Sequence, residues 1–166
     1  MDINYLTIVV AALVPLITGF IWYNPKVFGN AWMQAAEMTE EKIKGSNMAM
    51  IFGVTFIMSL LFAMGTNFVV IHQNHFYSIL MNEPGFGESG SELQNMIDGF
   101  IAQYGNNFRT FKHGALHGFI ASVMLLLPVI AINAMFERKS WKYVWIHAGY
   151  WSLTFILIGG IICQWA

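Results

Sequence analysis

The sequence predicts an all-α protein: a four-transmembrane-helix bundle with short amphipathic helices in the interface. Two observations carry that expectation. The chain of 166 residues is 57% hydrophobic and only 10% charged, against roughly 25% charged residues in ordinary soluble domains. Its eight basic and nine acidic residues leave four stretches without Asp, Glu, Lys or Arg: Ile3 to Pro25, Gly45 to Asn82, His113 to Phe136 and Tyr143 to Ala166. Each can supply the about 20 apolar residues that cross a hydrocarbon layer of about 30 Å.

Spans are therefore expected near 4–23, 48–72, 112–135 and 142–164, in a single integral membrane domain covering 1–166. The first reads as a retained helix rather than a cleaved signal peptide, because no basic residue precedes it and no small-residue cleavage site follows it. It runs into GFIWYNPKVFGNAWM, residues 19–33. There Trp22 and Tyr23 suit headgroup depth, where amphipathic rings are enriched. Pro25 removes a backbone donor and drives Asn24 out of the α region, so the span should stop. Phe28, Trp32 and the pair Ala35 and Ala36 then recur at helical spacing, which predicts a short helix lying in the interface. Thr39 is placed to cap a further turn through Glu40, Glu41 and Lys42 that leads into the second span.

The loop 74–111 is longer than a connection needs. Within it Ser91 and Gln94 have capping-box form, and Leu93, Met96, Ile97, Phe100, Ile101 and Tyr104 trace one face, predicting an amphipathic helix over 91–104 that stops at Gly105. On the third span Gly114 and Gly118 form a GxxxG pattern, which lets helix backbones approach closely in lipid. With Gly149, Gly159 and Gly160 on the fourth span, it predicts a tight contact between the two. Trp141, Tyr143 and Trp145 open that fourth span as interface anchors, matching Trp22, Tyr23 and Trp32 on the first connection. LVPLI at 13–17 and LLPVI at 126–130 echo one another at comparable points of spans one and three. Two related helical hairpins are an open reading of that echo.

Lys26, Lys42, Lys44, Arg138, Lys139 and Lys142 lie on the first and third connections, with only Arg109 and Lys112 on the other side. Basic residues flanking spans favour the cytoplasm. This predicts an inner (cytoplasmic) membrane protein with both termini and the loop 74–111 on the outer, periplasmic side.

The positions Gly19, Trp22, Tyr23, Pro25, Phe28, Gly29, Trp32 and Met33 resemble the signature of a bacterial membrane-protein family, domain of unknown function 1761. Members of that family look like G-x-x-W-Y-x-P-x-x-F-G-x-x-W-M at the end of a first helix. The segments His113 to Gly118 and Phe136 to Tyr143 are most similar to members from Bacteroidota. The resemblance implies a membrane setting and carries over no catalytic residue.

Chemistry concentrates in the histidines. His113 and His117, four apart, share one helix face, and His72 and His75, three apart, sit at the same predicted depth. Imidazole is the commonest neutral metal ligand, and pairs at these spacings chelate. A zinc or copper site is one reading, and a haem held by His72 with His113 or His117 is another. Imidazoles bonded to headgroups or backbone, with no metal, are a third. His147 lies at the opposite depth and is expected to hydrogen-bond within the bundle. The single cysteine, Cys163, excludes an internal disulfide or a CxxC motif and reads as a packed thiol. No carboxylate, Lys or Arg lies within a span, which argues against an ion-coupled carrier. There is also no basic stripe for nucleic acid.

Three functions fit these features. The first is assembly, as a homo-oligomer or an accessory subunit of an inner-membrane complex, with lipid and a membrane protein as partners and no cofactor. The second is a metal- or haem-binding enzyme or electron carrier built on His72, His75, His113 and His117. The third is a carrier of an uncharged or lipid-like molecule, suggested by the aromatic mouth at Trp22, Tyr23, Trp141 and Trp145.

Overall fold

A computed structural model describes residues 4–166; Ile3, where the first charge-free stretch begins, lies outside the described residues. The described chain is helical and contains no strand. In order come α1 (Tyr5–Trp22), α2 (Asn30–Ala36), α3 (Glu40–Lys44), α4 (Met48–Val70), α5 (His72–Leu80), α6 (Glu92–Tyr104), α7 (Phe111–Phe136) and α8 (Trp141–Trp165). Of these α1, α4, α7 and α8 are long and apolar enough to cross a membrane.

Helix starts follow from short polar side chains. Asn4, Thr39, Asn47, Ser91, Thr110 and Ser140 each accept a hydrogen bond from the backbone N–H three residues on. Each satisfies one amide that the helix itself leaves unpaired. The capping residues foreseen at Thr39 and Ser91 are among them.

The long helices alternate in direction. Asn4 Nδ2 and the Thr7 hydroxyl both donate to the Trp165 carbonyl at 3.0 Å, while at the far end of α1 the Trp22 indole N–H donates to the Ile146 carbonyl at 3.1 Å. One end of the bundle thus gathers Asn4, Val70, Phe111 and Trp165, and is called the histidine end below. The other gathers Trp22, Met48, Phe136 and Trp141, and is called the basic end.

The axis of the bundle is α8, which packs against α1, α4 and α7. Over its apolar window 56% of residues are buried inside the chain, against 11% for α4. Small residues make this possible. A Cβ placed on Gly114 would fall on the Gly159 carbonyl and Cys163 Cβ, and one on Gly118 would fall on the Phe155 carbonyl. Without a hydrophobic force between helices in lipid, such close backbone packing holds spans together. Interhelical hydrogen bonds add to it: Thr18 with Thr154 at 2.9 Å and Ser122 with Ser152 at 3.0 Å.

The two span prolines are accommodated differently. Pro128 follows a π-helical turn at Ser122–Leu126, which takes up the register that a missing N–H disturbs. Pro15 is buried in a continuous α1, and its carbonyl accepts the Tyr150 hydroxyl at 2.9 Å.

The stretch 19–33 folds back on itself. Asn24 caps the Lys26 amide, and Pro25–Gly29 forms a single wide turn before α2. Phe28 packs on Trp22 with ring centroids 4.4 Å apart, and Trp32 packs on Tyr23 at 5.4 Å. Gly29 is required because a Cβ there would strike the Tyr23 carbonyl. Trp22 and Tyr23 lie where interface anchors were expected, yet both spend their polar atoms on α8, and Gly149 leaves room for the Trp22 ring. Trp141 and Trp145, by contrast, are each 60% exposed. Trp22→Phe removes the indole donor and is expected to cost about 1 kcal/mol, read as a lowered midpoint in thermal unfolding in detergent.

The chain departs from expectation after the second span. Rather than running to residue 72 and into a loop, the helix breaks at Ile71, whose backbone is extended, and restarts as α5. Buried polar groups explain the break. Gln73 Nε2 donates to the Gly105 and Asn107 carbonyls at 2.9 and 3.1 Å, and Asn74 Nδ2 donates to Asn67 Oδ1 at 2.7 Å. Against α5, α6 stacks Phe100 on Phe76 at 4.5 Å, and its Ile97 is fully buried.

Candidate metal centre

At the histidine end, α5 and α7 bring His72, His113 and His117 together. One ring nitrogen from each lies within 4.8 Å of those of the other two, and the Nε2 atoms of His72 and His113 are 2.8 Å apart, in hydrogen-bond contact. In the neutral pair one of those nitrogens donates and the other accepts, so the two rings hold opposite tautomers. Ring centroids are 4.5–5.0 Å apart. His75, one turn further along α5, stays exposed and outside the group. No carboxylate joins it among the described residues.

Several interactions hold these side chains. Thr110 caps the His113 amide, which starts α7 one turn before the paired imidazoles. The preceding turn is tied to the end of α8. Arg109 Nε donates to the Cys163 carbonyl at 2.8 Å and its guanidinium also reaches the Ala166 carbonyl, and Cys163 Sγ contacts the Phe108 carbonyl at 3.3 Å. Phe108, at φ +62°, lays its ring 5.1 Å from that of His113. Gln73, next to His72, clamps the other side of the same loop. Gly114 and Gly118 pack against α8 and leave His113 and His117 on the adjacent face.

Burial first, then the charges His117 and His75 would carry, hold the His72 imidazole below its ordinary value of 6.5. At neutral pH it is an unprotonated donor. Three imidazole nitrogens converging from two helices can chelate a borderline metal ion. In tetrahedral coordination at about 2.0–2.1 Å per bond, ligand nitrogens stand about 3.3 Å apart, so the His72–His113 contact would open by about half an ångström.

His147 sits at the other end. Its Nδ1 is 3.0 Å from the Tyr23 hydroxyl, inside a cluster with Tyr143 and Tyr150. It has no geometric relation to the three-histidine group, in agreement with its predicted depth. The site residues that sequence reasoning misses are Gln73 and Arg109, since nothing local marks a glutamine or arginine that bonds a distant backbone.

Predominantly helical over its described residues, with four helices long and apolar enough to cross a bilayer, the chain is a multi-pass membrane protein. It belongs to the family described as Protein of unknown function (DUF1761), whose sequence profile matches residues 6–163. No curated protein and no solved structure matches it.

Proposed function

We propose that the protein is a metal-binding membrane protein in which His72, His113 and His117 hold one transition-metal ion, zinc or copper. The reading is carried by one observation: three imidazoles from two helices, 41 residues apart in sequence between His72 and His113, meet with one nitrogen of each within 4.8 Å of the others. Three protein ligands leave a fourth position for water or another donor. With no carboxylate to act as base in the group, binding or transfer of the ion fits better than hydrolysis. A haem between two of these histidines is less well served. The Nε2 atoms of His72 and His113 are in hydrogen-bond contact and the His117 ring stands beside both, which leaves no room for a macrocycle between them.

The wider setting of this reading is bacterial, of the Bacteroidota type, in the inner membrane. The excess of Lys and Arg at the basic end supports placing that end in the cytoplasm, which sets the three histidines on the periplasmic side. A second reading, assembly as a homo-oligomer or accessory subunit, draws support from the apolar face of α4, which its own chain leaves mostly uncovered.

Elemental analysis and zinc or copper titration of protein purified in mild detergent test the proposal. One ion per chain is expected. His117→Ala should lower affinity by more than the roughly 10–100-fold typical of losing an outer-shell partner, and His75→Ala should leave it within about threefold. Protons compete with the ion, so loading should decline on acidification, and the burial that lowers the His72 imidazole shifts its share of that decline toward lower pH. Protein that takes up no ion, or an H117A variant that binds like wild type, removes the proposal. A defined oligomer or a co-purifying subunit in the same sample would favour the second reading.

A further inference from the structure

At the basic end, α7 and α8 diverge around a cavity of about 230 Å³, several times the about 30 Å³ that one water takes up in the liquid. Two facing rows line it. Ile130 and Asn133 of α7 and Glu137 just beyond its end stand at i, i+3 and i+7, and Tyr143, His147 and Trp151 of α8 at i, i+4 and i+8, spacings that keep residues on one helix face. The α8 row covers about 12 Å at 1.5 Å per residue. Because the two helices run in opposite directions, Glu137 and Tyr143 share the outer level and Ile130 and Trp151 the inner one.

The charge in this lining has one sign. Glu137 is exposed and joins no ion pair among the described residues, and no Lys or Arg lines the cavity. The nearest lysines are engaged elsewhere: Lys139 pairs with Glu37 at 3.2 Å and Lys142 donates to Gln34 Oε1 at 3.0 Å. The last turn of α7 ends at the same level, so the negative end of its dipole adds to the carboxylate. Polar atoms make up the larger part of the open lining. His147 adds little to them, since its Nε2 is closed to solvent and its Nδ1 meets the Tyr23 hydroxyl. The Asn133 amide, the Glu137 carboxylate and the Tyr143 side chain remain.

We propose that this cavity binds an organic ammonium group. Glu137 supplies the countercharge and accepts N–H bonds, and the oxygens of Asn133 and Tyr143 are neutral acceptors beside it; three acceptors match the three donors of a primary ammonium. An aromatic ring such as that of Tyr143 also attracts a cation lying over its face within about 6 Å. A single carboxylate falls short of the oxygen set that calcium requires, and it repels an anionic ligand. Ile130 and Trp151 at the inner level suit the methylene groups that carry the charge. Ethanolammonium has this chemistry, and it can arrive as the headgroup of an aminophospholipid or as the free amine.

Isothermal titration calorimetry of the detergent-purified protein with dihexanoylphosphatidylethanolamine and, separately, with ethanolamine distinguishes the two sources. Saturable binding of at least one is expected. Tighter binding of the lipid assigns the headgroup, and equal or tighter binding of ethanolamine assigns the free amine. N-acetylethanolamine, which lacks the charge, should not saturate. Glu137→Gln keeps the shape of an exposed side chain and should weaken binding about fivefold, the upper value for a solvent-exposed ion pair. Glu137→Asp should retain part of the affinity, and Tyr143→Leu should lower it about threefold through loss of the ring face. His117→Ala should leave every affinity unchanged, which keeps this result separate from that of the metal site. Failure of both ammonium probes to saturate, binding of N-acetylethanolamine as tight as theirs, or equal affinity in wild type and Glu137→Gln overturns the proposal.

Discussion

Replacing Gly118 by valine should leave a protein that no longer holds α7 against α8. A Cβ at this position would coincide with the Phe155 carbonyl and approach the Ile156 nitrogen to 3.2 Å, so the obstruction is backbone on both sides. Side chains can rotate away from an added methyl group; a helix backbone can retreat only by moving the whole element. Overpacking of a well-packed core costs about 1–3 kcal/mol and occasionally more, and this site belongs at or above the top of that range. Lipid tails solvate the separated helices as well as a neighbouring leucine does, so nothing apolar opposes the separation once close contact is lost. The expected observation is loss of the monodisperse peak in size-exclusion chromatography in mild detergent after gentle heating, at temperatures the wild type survives. Gly53→Ala is the matched control: it faces open space on α4, with no heavy atom within 4 Å of a new Cβ, and should behave as wild type. Because His113 and His117 flank Gly114 and Gly118 on one helix, G118V should also lose metal.

Arg109→Ala is expected to have the next largest effect. The last carbonyls of a helix have no partner within it, and Arg109 supplies donors to two of them at the end of α8, Cys163 and Ala166. Hydrogen bonds from a charged donor are worth about 1.5–3 kcal/mol, and removing the donor strands partly buried acceptors. The cation also faces the negative end of the α8 dipole. Burial lowers the guanidinium from its ordinary value, but arginine remains charged at neutral pH. A loss of about 2–3 kcal/mol is expected on these grounds. Arg109→Lys should recover only part, since a single ammonium cannot reproduce a fork that reaches two carbonyls at once. The same thermal assay reads stability. Hydrogen exchange should show protection falling across 105–111 and at the last turn of α8, and an unchanged exchange pattern there would contradict the assigned role.

Much of the fold was legible because lipid imposes a simple rule on sequence. Charges are sparse in spans, so each of the four gaps between them marks one of the long helices α1, α4, α7 and α8. Capping side chains act on their own next turn, which is why Thr39 and Ser91 could be read locally. The approach of α7 and α8 was legible for a related reason, since glycines at one-turn spacing have few uses in a helix other than admitting another backbone.

What escaped the sequence depends on partners far away along the chain. Trp22 and Tyr23 read as anchors for the headgroup region because their composition and depth suit one; their bonds to Ile146 and His147 exist only once α1 lies beside α8. The break at Ile71 is invisible in an uninterrupted apolar pattern, and arises because Gln73 and Asn74 find acceptors in a loop and in the preceding turn. Arg109 carries no local sign of the helix end it caps.

The amino-acid sequence by itself determined the medium, the number of crossings and the family, because these depend on composition, on the spacing of charges and on a contiguous signature. Tertiary structure alone decided which three of the four histidines at one end meet, that His147 meets the Tyr23 hydroxyl at the other, and where Arg109 finds its acceptors. Imidazoles on separate helices become neighbours only through the packing of those helices, and that packing is set by close backbone contacts that no single segment contains.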